Sequence, residues 1–403
     1  MSDAVTPTGA TFGTIQPSGT RARMREDGAW LSVMMAITAF EFVCWAGAWR
    51  LGFAPSPYIF TYLALAFAGL VCVLSLRGVT GTLAATPNWW SMVPATILIG
   101  IGASLFLPLK YAIPQIVPFW LDRPLADAER LIFAGDPWLR LDHLLGWAAV
   151  PIDRVYGLWL PTQSLLLFKV VTQPSSTMKS RALIAYVLAW FLLGVVAATV
   201  LSSAGPIFHD RILGGTAFAA LRETLQSRGA WVALAESDKM WASLASGQPG
   251  IVAGISAVPS IHVAISVWIL LVSREMAPRA VPYAACYVVF IWVASVALGW
   301  HYATDGLVGS LGMLGIWSIS TRLQGYLDHR FGVCFPPKAD TSGLRLPRLQ
   351  AEGANVGPVV TDHAFARRLF SVPLDVKIAV PARRSPRRTH KCRASSKDPP
   401  SPW

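Results

Sequence analysis

An all-α bundle of membrane-spanning helices is the fold this sequence predicts, on three observations. Of 403 residues, 54% are hydrophobic and only 14% charged, too few charges to cover a soluble globule of this length. Seventeen tryptophans are available for the lipid–water boundary, where amphipathic rings concentrate. Crossing the hydrocarbon core takes about 20 mainly apolar residues, and about eight stretches approach that length: 30–49, 58–76, 90–109, 155–171, 182–201, 257–272, 281–300 and 306–323. The fourth is short and interrupted by Pro161, Gln163 and Lys169, and the sixth opens on Pro259-Ser260-Ile261-His262.

The chain divides accordingly into a polar N-terminal tail (1–29), two extra spans with their loops (30–89), a six-span core (90–325) and a C-terminal tail (326–403). The first 29 residues are too long and too weakly basic for the start of a cleaved signal peptide, so the first apolar run is expected to stay as a membrane helix. A formal charge of +12 raises the question of a nucleic-acid partner, but residues 326–403 carry +8 of it. That segment is rich in Pro and Ser and lacks apolar periodicity, so it reads as a solvated, disordered tail, and no nucleic-acid partner is expected. Cys44, Cys72, Cys286, Cys334 and Cys392 show neither a disulfide framework nor metal-ligand spacing.

Positive charge marks the cytoplasmic side of a membrane protein. With both termini inside, Arg21, Arg23, Arg25, Arg77, Lys169, Lys179, Arg181, Arg274, Arg279, Arg322 and the basic tail are all cytoplasmic. The same assignment sends residues 110–154 and 205–254, His262 and the 301–305 segment to the extracytoplasmic face, and a bacterial plasma membrane is the expected location. Two segments on that face are too polar to span. Residues 122–133 form an amphipathic pattern with Trp120, Trp138 and Trp147 nearby, expected to lie on the membrane. Residues 217–246 have helical composition and suit either a cap over a site or a plain surface hairpin.

Ionisable groups at the ends of apolar spans are expensive, which makes His262, His301 and Asp305 the leading site candidates. Pro259-Ser260 reads as a helix start with Ser260 as N-cap and His262 in the first turn, where free N–H groups and the helix dipole favour a phosphate oxygen. His301 and Asp305 are four apart, so a helical turn puts them on one face. The carboxylate can then accept from one ring nitrogen and leave the other as a lone-pair donor, an oriented nucleophile, while a second histidine protonates a leaving oxygen. Half of a metal site is the competing reading of this spacing, but convincing third and fourth ligands are lacking, so neither metal nor cofactor is expected.

Together, Pro259-Ser260-Ile261-His262 and His301-Tyr302-Ala303-Thr304-Asp305 at the outer ends of successive spans resemble the second and third motifs of the type 2 phosphatidic acid phosphatase superfamily. Pro-Ser-x-His in place of Ser-Gly-His looks like the inositol phosphorylceramide synthase-like branch. Lys110-Tyr111-Ala112-Ile113-Pro114, Asp136-Pro137-Trp138 and Gly205-Pro206-Ile207-Phe208 look like that branch too. The resemblance covers roughly residues 90–323 and implies metal-independent phosphoryl transfer through a phosphohistidine, either to water, as in a lipid phosphate phosphatase, or to an alcohol, moving a phospho-headgroup from one lipid to another. It makes His301 the nucleophile, Asp305 its orienting partner and His262 the general acid, with a phospholipid or sphingolipid as substrate.

The chain departs from the superfamily at two phosphate-binding positions. The Lys-x6-Arg-Pro first motif is absent, and Ser295 stands where an arginine is expected. Arg211 is the leading substitute because a guanidinium binds phosphate bidentately. Lys110, Arg123 and Lys239 follow, and Ser260 is a further phosphate-binding candidate. His209 reads as a surface histidine, and Glu41, central to the first span, as a neutral acid hydrogen-bonded between helices. A transporter or scaffold is the alternative from another class, weakened by the lack of an internal repeat.

Overall fold

The computed structural model describes residues 18–81, 88–247 and 254–331, all within the first of two units that divide at Pro337. The beginning of the N-terminal tail, the basic tail from residue 332 and two of the five cysteines lie outside the described residues. Every described element is a helix or helical turn: α1 (Ser18–Arg50), α2 (Ile59–Val79), α3 (Trp89–Ile116), α4 (Asp122–Ile132), α5 (Pro137–Leu145), α6 (Ala149–Gly157) and α7 (Trp159–Val171). Next comes α8 (Thr177–Phe191), which runs through a π turn into α9 (Ala198–Val200). The chain then forms α10 (Pro206–Leu213), α11 (Ala219–Arg228), α12 (Trp231–Ser246), α13 (Ile261–Met276), α14 (Val281–Ala297) and α15 (Ala303–Phe331).

Five helical segments among the described residues are long and apolar enough to cross a membrane: Asp27–Arg50, Ile59–Val79, Trp89–Ile116, Thr177–Val200 and Pro278–Ala297. The protein is thus an integral membrane protein. The other three expected spans also fall on helices but differ in detail. The fourth is split at Leu158 between α6 and α7, with Pro161 tolerated in the first turn of α7, where no intrahelical N–H bond is lost. The sixth begins only at Ile261, because Ser260 takes an extended conformation and its hydroxyl caps Val263 N–H at 3.4 Å. The eighth is longer than expected, at 29 residues.

Helix α13 is central: Val263, Ala264, Ile265 and Trp268 are fully enclosed, and it packs on α7, α8, α14 and α15. Helices α1 and α2 pack on α3, with α1 reaching α8 and α15. Between membrane helices the drive is packing and interhelical polar contact rather than expulsion of water, so small residues mark close approaches. At Gly309 in α15 a β-carbon would collide with the Ser260 carbonyl oxygen, so glycine is what lets α15 lie against the start of α13.

The helix ends sort into two sets. At one end Asp27 accepts from Trp30 Nε1 (2.9 Å), Asn88 Nδ2 (2.5 Å) and Ser175 Oγ (2.7 Å), with Lys179 Nζ 3.8 Å away. Arg77 donates to Thr172 O at 2.7 Å, and Arg181 pairs with Glu275. These basic residues are among those that charge distribution groups on one side. The opposite ends of α3, α13, α14 and α15 carry Lys110, His262, Ser295 and Asp305.

Candidate active site

Two short segments lead into the site, and one buried carboxylate organises them. Asp122, at the start of α4, accepts from Ser203 Oγ (2.9 Å), Ala204 N–H (2.8 Å), Gly205 N–H (2.8 Å) and Tyr302 Oη–H (3.3 Å). Gly205 has φ = +94°, which favours glycine, and a β-carbon there would strike the Trp300 carbonyl. The 203–205 strap thereby lies flat against both motif loops: Ala257 N–H donates to Ser203 O at 2.7 Å, and Ile207 N–H to Gly299 O at 2.8 Å. From the other side Leu221 of α11 packs on Gly299. Residues 217–246 therefore form a cap over the 299–302 loop rather than a free hairpin, with Asp153 accepting from Val232 and Ala233 N–H at the second helix's start.

Within this frame the two histidines meet. His301 Nε2 is 3.3 Å from His262 Nδ1, and His301 Nδ1 is 3.4 Å from Asp305 Oδ2. The second contact is within ion-pair reach but off hydrogen-bond alignment, and Asp305 Oδ1 is buried without a hydrogen-bond partner. Asp305 Oδ2 is fixed by Tyr302 N–H at 2.9 Å. The 301–305 spacing does put histidine and carboxylate side by side, although His301 itself sits in the loop before α15. Burial, and next the charge of Lys110, push the His301 imidazole down to about 3, with the Ala257 backbone pulling the other way. At neutral pH this ring is uncharged, with Nδ1 the nitrogen beside the carboxylate and Nε2 the one beside His262.

His262 occupies the second position of α13, its ring 4.3 Å from Trp159 and 5.1 Å from Tyr156 between centroids. Trp159 Nε1 donates to the His262 carbonyl at 3.0 Å, fixing the aromatic wall to the helix that bears the histidine. Ser260, fully enclosed, donates its N–H to the Asp305 carbonyl at 3.2 Å and spends its hydroxyl on the helix cap. It joins the two motifs rather than presenting a free hydroxyl.

The phosphate-binding candidates separate. Lys110 is half-buried near the end of α3, and its charge bears on both histidines. Arg211 donates to Asp238 at 2.7 Å, shares that carboxylate with Arg222, and lies 5.6 Å from the Trp241 ring, although its Nη1 is buried without a partner. Arg123 is exposed on α4, and Lys239 is exposed and paired with Glu236 at 2.7 Å. His209 departs from the surface position expected of it. It is 6% exposed, contacts Asp210 at 2.9 Å and packs on Phe218, because α10 turns inward under the cap. Glu41 is buried against Gly102, but its Oε2 makes none of the expected interhelical hydrogen bonds among the described residues.

Sequence reasoning passed over Asp122, Glu129, Tyr156, Trp159 and Tyr302. For Asp122 and Glu129 a signal existed: seven residues apart, they share one face of the amphipathic segment. That face turns inward, while Leu131 and Ile132 are exposed, so α4 does more than rest on the membrane. Tyr156 and Trp159 had no signal, since aromatics at the end of an apolar run look alike whether they touch lipid or imidazole.

These features define a class: helical integral membrane proteins with a carboxylate-supported histidine pair at one end of the bundle. Residues 125–319, from α4 into α15, match the family model described as PAP2 superfamily. The matched segment contains His262, His301 and Asp305, and it supports the type 2 phosphatidic acid phosphatase superfamily expected from the motifs, with a function of lipid phosphatase or phosphotransferase type. Lys110 lies N-terminal to the match. No curated protein and no solved structure matches the chain.

Proposed function

We propose that this protein moves a phosphoryl or phospho-headgroup from a membrane lipid to water or an alcohol through a phosphohistidine on His301. The contact of His301 Nε2 with His262 Nδ1, backed by Asp305 at Nδ1, carries the reading. In the first step His301 Nε2 attacks phosphorus, the P–N bond forms, and the departing P–O oxygen takes a proton from His262. In the second an acceptor O–H gives its proton back to His262 as its oxygen attacks phosphorus, breaking P–N and restoring both rings. In-line transfer places phosphorus beside Nε2, so the two rings part as substrate enters. Lys110 supplies charge to the equatorial oxygens, and the first-turn N–H groups of α13 add to it.

The Pro-Ser-x-His form at residues 259–262 favours transfer to an alcohol over hydrolysis, in the manner of inositol phosphorylceramide synthase-like proteins, and the charge distribution favours an extracytoplasmic site with both termini inside. The test is purified protein in mixed vesicles with labelled lipid phosphates and phospholipids, chelator present, with and without alcohol acceptors. Acid-labile label on His301 and a phosphorylated acceptor are expected. Phosphate alone as product makes the protein a phosphatase, and no covalent label with any lipid removes the mechanism.

Lys110→Met provides a second check. Losing a charged contact to phosphate costs about 1.5–3 kcal/mol, or roughly 10–100-fold in kcat/KM. The direction of the pH effect follows from His301. Lys110's charge helps hold that imidazole down, so its removal lets the ring protonate at higher pH and moves the acid limb of the rate profile upward. An acid limb that stays in place means Lys110 does not face the histidines.

A further inference from the structure

Helix α4 turns a second carboxylate towards the site, on the same inward face as Asp122. Glu129 is 3% exposed, and its Oε1 accepts from both Thr304 N–H (2.7 Å) and Thr304 Oγ1–H (3.0 Å). The Ala303 backbone N–H bears on the same carboxylate. These are unsatisfied donors of the first turn of α15, and Glu129 is a cap supplied from 175 positions away in sequence. Thr304 is bonded directly to Asp305. Glu129 also lines, with His301, Tyr302, Asp136 and Trp138, the small cavity behind the catalytic loop.

We propose that Glu129 is a positioning residue: by capping α15 at Thr304 it sets the place of Asp305 and so the aim of His301. The proposal rests on the phosphotransfer reading above. Three observations carry it. The His301–Asp305 contact is long and not aligned as a hydrogen bond, so its own directionality does not hold the pair. Asp305 depends on the turn it belongs to, gripping Tyr302 N–H within that turn and giving its carbonyl to Ser260 N–H. Trp292 Nε1 of α14 donates to Ala303 O at 2.8 Å and Asp122 accepts from Tyr302 Oη–H, but the side chain that takes up the Thr304 N–H beside Asp305 is Glu129. Burial, against the Thr304 bonds and with some help from the charge of Asp305, lifts the Glu129 carboxyl to about 7, and either protonation state keeps an oxygen for Thr304.

A misplacement near 1 Å from a residue outside the chemistry costs about 100-fold. The experiment follows formation of labelled phosphohistidine in the full-length wild type, Glu129→Ala, Glu129→Gln and Thr304→Val, each verified as folded by its thermal transition in detergent. Glu129→Ala is expected to slow adduct formation about 10–100-fold, with KM within about two-fold of wild type, because ground-state lipid binding is untouched. Glu129→Gln, whose amide oxygen accepts from the same two donors, is expected within about three-fold of wild type, and Thr304→Val, losing only the 3.0 Å bond, to slow the step several-fold. Glu129→Ala at the wild-type rate overturns the proposal. So does Glu129→Gln as slow as Glu129→Ala, which would show that the ionised group itself is used. Should Glu129→Ala not fold, a wild-type rate in Thr304→Val overturns it instead. Absence of any adduct in wild-type protein counts against the phosphohistidine reading, whereas a normal wild-type adduct with indifferent variants counts against Glu129 alone.

Discussion

Alanine at position 301 is expected to remove lipid turnover, by at least about 10⁴-fold, because losing a nucleophile forfeits the covalent route as a whole. The loss is chemical rather than structural. The loop around it is held by Asp122 through Tyr302 and by the Ile207–Gly299 bond, neither of which uses the imidazole. Asp305 keeps its grip on Tyr302 N–H in the variant. The protein should therefore fold, bind lipid with little change and form no acid-labile adduct. His301→Gly extends the test, since free imidazole entering the vacated space should restore part of the turnover. Full activity in His301→Ala would end the phosphohistidine assignment, whatever the other variants do.

His262→Gln is expected to lower turnover of an alkyl lipid phosphate by about 10²–10⁴-fold, the usual contribution of a positioned proton donor. An alkoxide needs that proton as the P–O bond breaks, whereas a nitrophenolate does not. With a nitrophenyl phosphate the first step in His262→Gln should fall less than about ten-fold. The second step still wants a base for the acceptor hydroxyl, so a burst of one phenolate per site followed by slow turnover is expected. An equal loss on both substrates would show that His262 shapes the site without giving a proton. Tyr156, stacked on the ring, and Trp159, tilted against it, make glutamine preferable to alanine here, because it keeps most of the volume they pack against.

Much of this was legible along the chain. The apolar runs foretold helices because a backbone in hydrocarbon must satisfy its own hydrogen bonds, leaving little other choice for long apolar segments. The errors fell where that rule does not act. The apolar run 155–171 has the length of one span but breaks at Leu158, and α13 starts four residues into its apolar run because Ser260 caps it. His262, His301 and Asp305 stood out because ionisable groups at span ends are costly, and the structure gathers those three. The phosphate-binding candidates show the limit of the same logic. Arg211 and Lys110 look alike in sequence as cations at span ends, yet Arg211 is engaged by Asp238 and Trp241 while the charge of Lys110 reaches the histidines.

By itself, then, the sequence determined the helical membrane class and singled out the two histidines and the carboxylate that the structure brings together. These follow from local quantities: apolar length, charge count and short spacing. Only the tertiary structure decided that Arg211 is engaged by Asp238, that residues 217–246 form a cap, and that α4 brings Asp122 and Glu129 to Tyr302 and Thr304. Asp122 meets Tyr302 across 180 positions and Glu129 meets Thr304 across 175. Contacts at that separation depend on how whole helices pack, and the one-dimensional pattern of a short amphipathic segment says which residues share a face but not what that face will meet.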